Sequence, residues 1–127
     1  MRAYVDADIL IWHLRGDRRA LRFLRRMRDS AGCELWIGAM QRAEVVFFMR
    51  PEEEEKTLLL LSQFRTAPVD QTIVDRAAVL YRTWRPSHGT DPNDAILAAT
   101  AMETGGTIYC LNTKHYPMPE VVSSKAW

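Results

Sequence analysis

The stretch RAYVDADILIWHL, residues 2–14, decides the fold. Residues 2–5 read as a short apolar strand, and Asp8 is placed to cap a helix through Leu14 that Gly16 breaks. A strand that passes at once into a helix opens an α/β chain. The junction also carries an acid, Asp6, directly after the apolar strand, where a carboxylate projects from the strand end into whatever crevice forms there.

The alternation continues outward from that stretch. From Asp17, residues Ala20, Leu21, Leu24 and Met27 recur at helical spacing and leave the arginines on the opposite face. Residues 34–37 fit a strand, and a helix carrying Glu44 follows to Met49, where Arg50 and Pro51 end it. Pro51 and Glu52 to Glu55 suit the first turn of another helix, because proline loses no bond there and acids favour the positive end of the dipole. Residues 66–69 read as a strand, Asp70 caps a helix to about Trp84, and Pro86 to Gly89 read as a loop. Residues 94–103 are helical, 107–111 form a strand, and Val121 and Val122 fit a weaker one. Strands separated by helices imply a mainly parallel sheet between helical layers, with ligands beyond the carboxyl ends of the strands. Asp6 and Asn112 both follow strands and so reach the same edge.

Three acids sit in apolar settings: Asp6 in YVDADILIW, Glu44 in QRAEVVFFM and Asp94 in DPNDAILAATA. A lone carboxylate in such surroundings costs several kcal/mol unless paired or coordinated, so three of them imply one shared positive partner, most simply a divalent metal ion. Oxygen-only ligands select Mg2+ or Mn2+, which bind substrate phosphates and activate water. Each acid also has a plain structural reading. Asp6 or Asp8 serves as a helix cap, Glu44 as a surface residue paired with Arg42 or Arg50, and one of Asp91 and Asp94 as a cap for the AILAATA helix. Asp8 is read as structural. Asn112, Lys114, His115 and Tyr116 form a polar turn after a buried strand, suited to contacts that support the site residues, to phosphate contacts or to ordinary turn chemistry. Trp12, Trp36 and Trp84 read as core, and His13 and His88 as core or surface.

With 127 residues, 47% hydrophobic and 26% charged, the chain fits one domain spanning 1–127. No apolar run reaches membrane-spanning length and no signal peptide is recognisable. Cys33 and Cys110 stand far apart, outside any metal-ligand spacing, consistent with a reducing cytoplasm. Of the 17 basic residues 14 are arginine, and seven of these crowd between Arg15 and Arg28. Arginine favours bidentate contact with phosphate or carboxylate, so nucleic acid or an acidic protein is a fitting partner, although spaced arginines also simply solvate a helix face.

Taken together, VDADILIWHLRGD, AEVV, NDAILAATAMETG and LNTKHYPM resemble PIN-domain proteins, and in particular VapC-type toxins of bacterial toxin-antitoxin systems. The resemblance runs nearly end to end, and the order and spacing of the motifs carry it. It implies a three-layer α/β/α sandwich and an endoribonuclease dependent on Mg2+ or Mn2+, with homodimers and inhibition by a cognate antitoxin. By motif, Asp6, Glu44 and Asp94 match the metal-holding acids, Asp91 is an additional candidate, and Asn112 stands where many members carry a fourth acid or an asparagine. Asn112 would orient a water, and its neutrality favours one metal over two. Cys110 replaces a hydroxyl residue often found two positions earlier. The expected substrate is single-stranded or looped RNA, because an A-form duplex cannot enter a cleft. Two other readings compete: a PIN-like RNA- or protein-binding module without turnover, and an Asp-x-Asp phosphatase using Asp6 and Asp8, for which no convincing catalytic lysine is present.

Overall fold

The computed structural model describes residues 1–127. In chain order the elements are β1 (Arg2–Val5), α1 (Ala7–Leu14), α2 (Arg18–Asp29), β2 (Glu34–Gly38), α3 (Ala39–Val46), a 3-10 turn (Pro51–Glu53) and α4 (Glu54–Leu61). They continue with β3 (Arg65–Ala67), α5 (Gln71–His88), α6 (Pro92–Thr104), β4 (Thr107–Cys110), a second 3-10 turn (Thr113–His115) and β5 (Val122–Lys125). The strands form one five-stranded sheet in the order β3-β2-β1-β4-β5, and every pairing is parallel. Antiparallel hairpins are therefore absent, and each return to the sheet is made through other structure.

Side-chain alternation along β1 splits the core in two. Ala3 and Val5 face one side and pack with Ile9, Leu10, Phe23, Leu24, Met27, Val45, Leu60, Leu61 and Phe64 from α1 to α4 and the turn after α4. Tyr4 faces the other side, with Ala67, Ile108 and Cys110, and packs against Ile73, Ala77 and Leu80 of α5 and Leu97, Ala98 and Ala101 of α6. The result is the expected three-layer sandwich. Full burial of residues such as Phe23 and Ile9 is worth about 1.5–3 kcal/mol each.

Several element ends differ from the sequence expectation. Asp6, not Asp8, is the N-cap of α1, and its side chain accepts the Ala7 N–H. The helix bearing Glu44 stops at Val46 rather than Met49, which leaves Phe47 and Phe48 75% and 83% exposed. α5 does not end near Trp84: it runs through Pro86 to His88 and closes on Gly89 at φ 64°. Pro86 removes one N–H donor from α5, yet the helix continues two residues beyond it, and glycine adopts the left-handed cap without strain. α6 starts at Pro92, capped by Asp91, two residues before the expected start. β3 is shorter and earlier, at Arg65–Ala67, and the last strand runs Val122–Lys125. Trp12 is 41% exposed instead of buried, with the Arg15 guanidinium 5.5 Å from its ring. Trp36 and Trp84 pack against the core as expected.

Candidate active site

The sheet order makes the chain run outward from β1 in one direction through β2 and β3, then return to its other side as β4. In open α/β sheets that reversal marks the crevice where ligands bind, beyond the strand ends. Asp6 stands there, one residue past β1, with its N–H donating to the Tyr109 carbonyl of β4 at 2.9 Å. Asp94 reaches the same place from the third position of α6, its N–H held at 2.8 Å by the Asp91 carboxylate. Glu44 arrives from α3, half-buried, with one oxygen accepting from Asn93 Nδ2 at 2.9 Å.

These elements enclose a shallow pocket of about 190 Å³ lined by Asp6, Asp8, Ile11, Glu44, Asp91, Asp94 and His115. Five carboxylates meet there, and neither arginine nor lysine lines the pocket. The three principal acids of the sequence reading and Asp91 are thus brought together. Asp8, expected to be purely structural, belongs to the same wall. One of its oxygens accepts from the N–H of Ile9 at 2.8 Å and the other from that of Leu111 at 3.4 Å. Asn112 is exposed at the rim, outside the lining. Its carbonyl oxygen accepts from Lys114 N–H at 3.1 Å, and its amide nitrogen lies 3.3 Å from His115 Nε2.

Burial without a counter-charge sets the ionisation of the pocket. Asp6 is 7% exposed, and loss of water pushes its carboxyl up to about 6, against the hydrogen bond from Tyr116. Asp94 is pushed up to about 7, first by burial and then by the charges of Asp91 and Asp6. Glu44 and Asp8 are raised as well, again chiefly by burial. Cys110, buried at the end of β4, is pushed up to about 12 by burial and the neighbouring acids, so its thiol stays protonated and inert. The cation-forming group nearest Asp94 is His115, whose Nδ1 lies 3.7 Å from Asp94 Oδ2.

Sequence reasoning assigned no role to Tyr116. Its ring is buried among Met118, Cys110 and Ile108, and its hydroxyl contacts both Asp6 and Asp94. The signal available in the sequence was an aromatic residue, apolar enough to bury, inside an otherwise polar turn.

The PIN domain family model matches residues 3–115 of this chain. The chain belongs to the PIN-domain family. Among relatives of this PIN domain, Ribonuclease VapC10 of Mycobacterium tuberculosis is 36% identical over 117 residues, covering 91% of this chain and 86% of that protein. Ribonuclease VapC19 of the same organism is 29% identical over 115 residues, covering 90% and 91%. Among solved structures, a toxin-antitoxin complex from Klebsiella pneumoniae superposes with a TM-score of 0.75 at 28% identity, over 94% of this chain and 95% of that one. VapBC2 from Rickettsia felis, solved bound to a DNA fragment from its promoter, shares the fold at a TM-score of 0.80 and 16% identity, over 98% of both chains. No helix of the PIN domain is long and apolar enough to cross a membrane.

Proposed function

We propose that this PIN domain is a divalent-cation-dependent endoribonuclease acting on single-stranded or looped RNA, and the toxin of a toxin-antitoxin pair. The observation that carries the reading is the pocket of five carboxylates with neither arginine nor lysine in its lining, at the strand-order reversal of a PIN domain whose relatives are named ribonucleases.

The donor set fits a hard cation. All five strong donors are carboxylates, and no arginine or lysine in the lining offsets them; burial raises the carboxyls of Asp6 and Asp94, and a bound cation would bring them back down. No three of the acidic, histidine or cysteine groups are gathered tightly enough to hold an ion as they stand, so the carboxylates would have to close on a cation or reach it through retained waters. Asp6, Glu44 and Asp94 would hold Mg2+ or Mn2+, with Asp91 as a further ligand. The bound ion would lower the pKa of water and offset charge on the phosphate. Asn93 holds Glu44 in place, Asp91 fixes the first turn of α6, and Asn112 at the rim would orient a water.

An antitoxin has a seat beside the acids. A groove of about 330 Å³ lined by Ile11, Leu14, Val45, Phe48, Met49 and neighbouring polar residues shares Glu44 and Ile11 with the acid pocket. A segment with apolar side chains in the groove and an arginine at one end would neutralise the carboxylates and block RNA. The exposed arginine face of α2 would meet RNA phosphates. A second copy would cover the apolar face formed by Val74, Ala78 and Tyr81 of α5 with Pro92 and Ile96 of α6. The reading puts the protein in the cytoplasm, where RNA and an antitoxin meet it.

The phosphatase alternative draws on Asp6 and Asp8 sharing one wall, but no lysine lines that pocket. The deciding experiment is incubation of antitoxin-free protein with a mixed RNA panel in Mg2+ or Mn2+, in chelator, and with Asp94→Asn. Metal-dependent cleavage that Asp94→Asn loses is expected. RNA retained in chelator but never cut by folded protein would favour a binding module instead.

A further inference from the structure

The polar turn after β4 delivers one buried aromatic to the floor of the acid pocket. Asn112 caps the turn Thr113–His115, and the Tyr116 N–H donates to the Thr113 carbonyl at 3.0 Å, which fixes where the side chain leaves the backbone. The ring is 3% exposed and packs in the α5–α6 core, so its hydroxyl has little freedom. That hydroxyl lies 2.6 Å from Asp6 Oδ2 and 3.2 Å from Asp94 Oδ1. A phenol has one proton, shared here in a three-centre bond: the main arm goes to Asp6, at the length of a charge-assisted bond, and the weaker arm to Asp94. The other Asp6 oxygen accepts from the Ala7 N–H at 2.8 Å. Both Asp6 oxygens are therefore fixed in direction, each keeping a lone pair, while Asp94 is held against the same phenol oxygen.

Resting on the cation reading of the pocket, we infer that Tyr116 is a positioning residue: its hydroxyl, wedged between Asp6 and Asp94, keeps the two carboxylates together on one side of the pocket, where a single cation can draw on both. Without it the two acids face a bare ring edge across a shared wall. Mutual repulsion and loss of the donor would turn them away from each other, and a cation would have to reorient both on binding. The hydroxyl acts through the carboxylates and itself needs no contact with the cation or the RNA.

The test uses the full chain, purified free of antitoxin, with Mn2+ as the probe and calorimetry as the readout. Tyr116→Phe keeps the ring and removes only the hydroxyl. The expected result is a Mn2+ affinity lowered by about 10- to 100-fold, with the same factor in the Mn2+ concentration giving half-maximal cleavage and no change in RNA binding in chelator. Unchanged or tighter Mn2+ binding overturns the inference and leaves the cation reading intact. Wild type and Asp94→Asn binding Mn2+ equally overturns both. A measurement on the unmutated site guards against a variant that fails to fold: 3-fluorotyrosine at position 116 should show a 19F shift on adding Mg2+ that is absent with Asp94→Asn. A resonance indifferent to Mg2+ also overturns it.

Discussion

Two aspartates open two consecutive helices, and their surroundings drive their carboxyls in opposite directions. Asp17 caps α2 by accepting from the N–H groups of Arg19 and Ala20, and the Arg19 guanidinium closes on it at 2.9 Å. Its carboxyl is held down at about 2, first by the hydrogen bond from the Arg19 side chain. Asp6 also caps its helix, with the Ala7 N–H as its only backbone donor, but it is buried beside Asp8 and Glu44 and its carboxyl rises to about 6. Each side chain holds backbone N–H of its helix start. Only Asp6 leaves negative charge unanswered, so the same cap chemistry is complete in one place and waiting for a cation in the other.

The largest effect that would break this contrast is on turnover. Asp6→Asn should lower RNA cleavage by on the order of 1,000-fold, the loss of several kcal/mol of charge stabilisation, whereas Asp17→Asn should leave the cleavage rate unchanged and only lower the melting temperature. Equal rates for the two variants would erase the distinction.

The next effect is on stability against pH in chelator. Asp6 and Asp94 have folded values of about 6 and 7, above the ordinary carboxylate value, so between about pH 4 and 7 the folded state binds more protons than the unfolded chain. Their contribution therefore favours folding at low pH and is lost as pH rises through that window. Asp17 runs the other way: its contribution is present above the ordinary carboxylate value and is lost as pH falls through about 2. Denaturant unfolding should find Asp94→Asn more stable than wild type at pH 8 by on the order of 2 kcal/mol, with the difference shrinking toward pH 4. A variant less stable than wild type at pH 8 would contradict the burial-driven shift.

The smallest effect sharpens the picture at Glu44. Asn93→Ala removes the donor that fixes this acid and should reduce cleavage several-fold, about 0.5–1.5 kcal/mol, without altering the pH-stability profile set by Asp6 and Asp94.

How much of this was legible depended on how local each cause is. Asp6 could be read because an acid after an apolar strand is unusual wherever the chain goes. Which of Asp6 and Asp8 caps α1 could not, since the two stand two residues apart and the register of β1 against β4 decides where the helix begins. Pro86 misled because proline usually ends a helix. Here it falls within the last turn, and Gly89 supplies the stop three residues later. Tyr116 could be placed in a turn suited to supporting the site but not given its role, for a different reason: its partner lies 110 residues away, and no local pattern encodes it.

That same separation has a consequence during synthesis. β1 leaves the ribosome about a hundred residues before its neighbour β4, which starts only at Thr107. At about 5–20 residues per second, Asp6 waits several seconds before Asp94, the second flank of its strand and the Tyr116 hydroxyl have all been made. No chain released before Tyr116 carries the finished pocket, so a cell making this protein meets its activity only after that residue has been added.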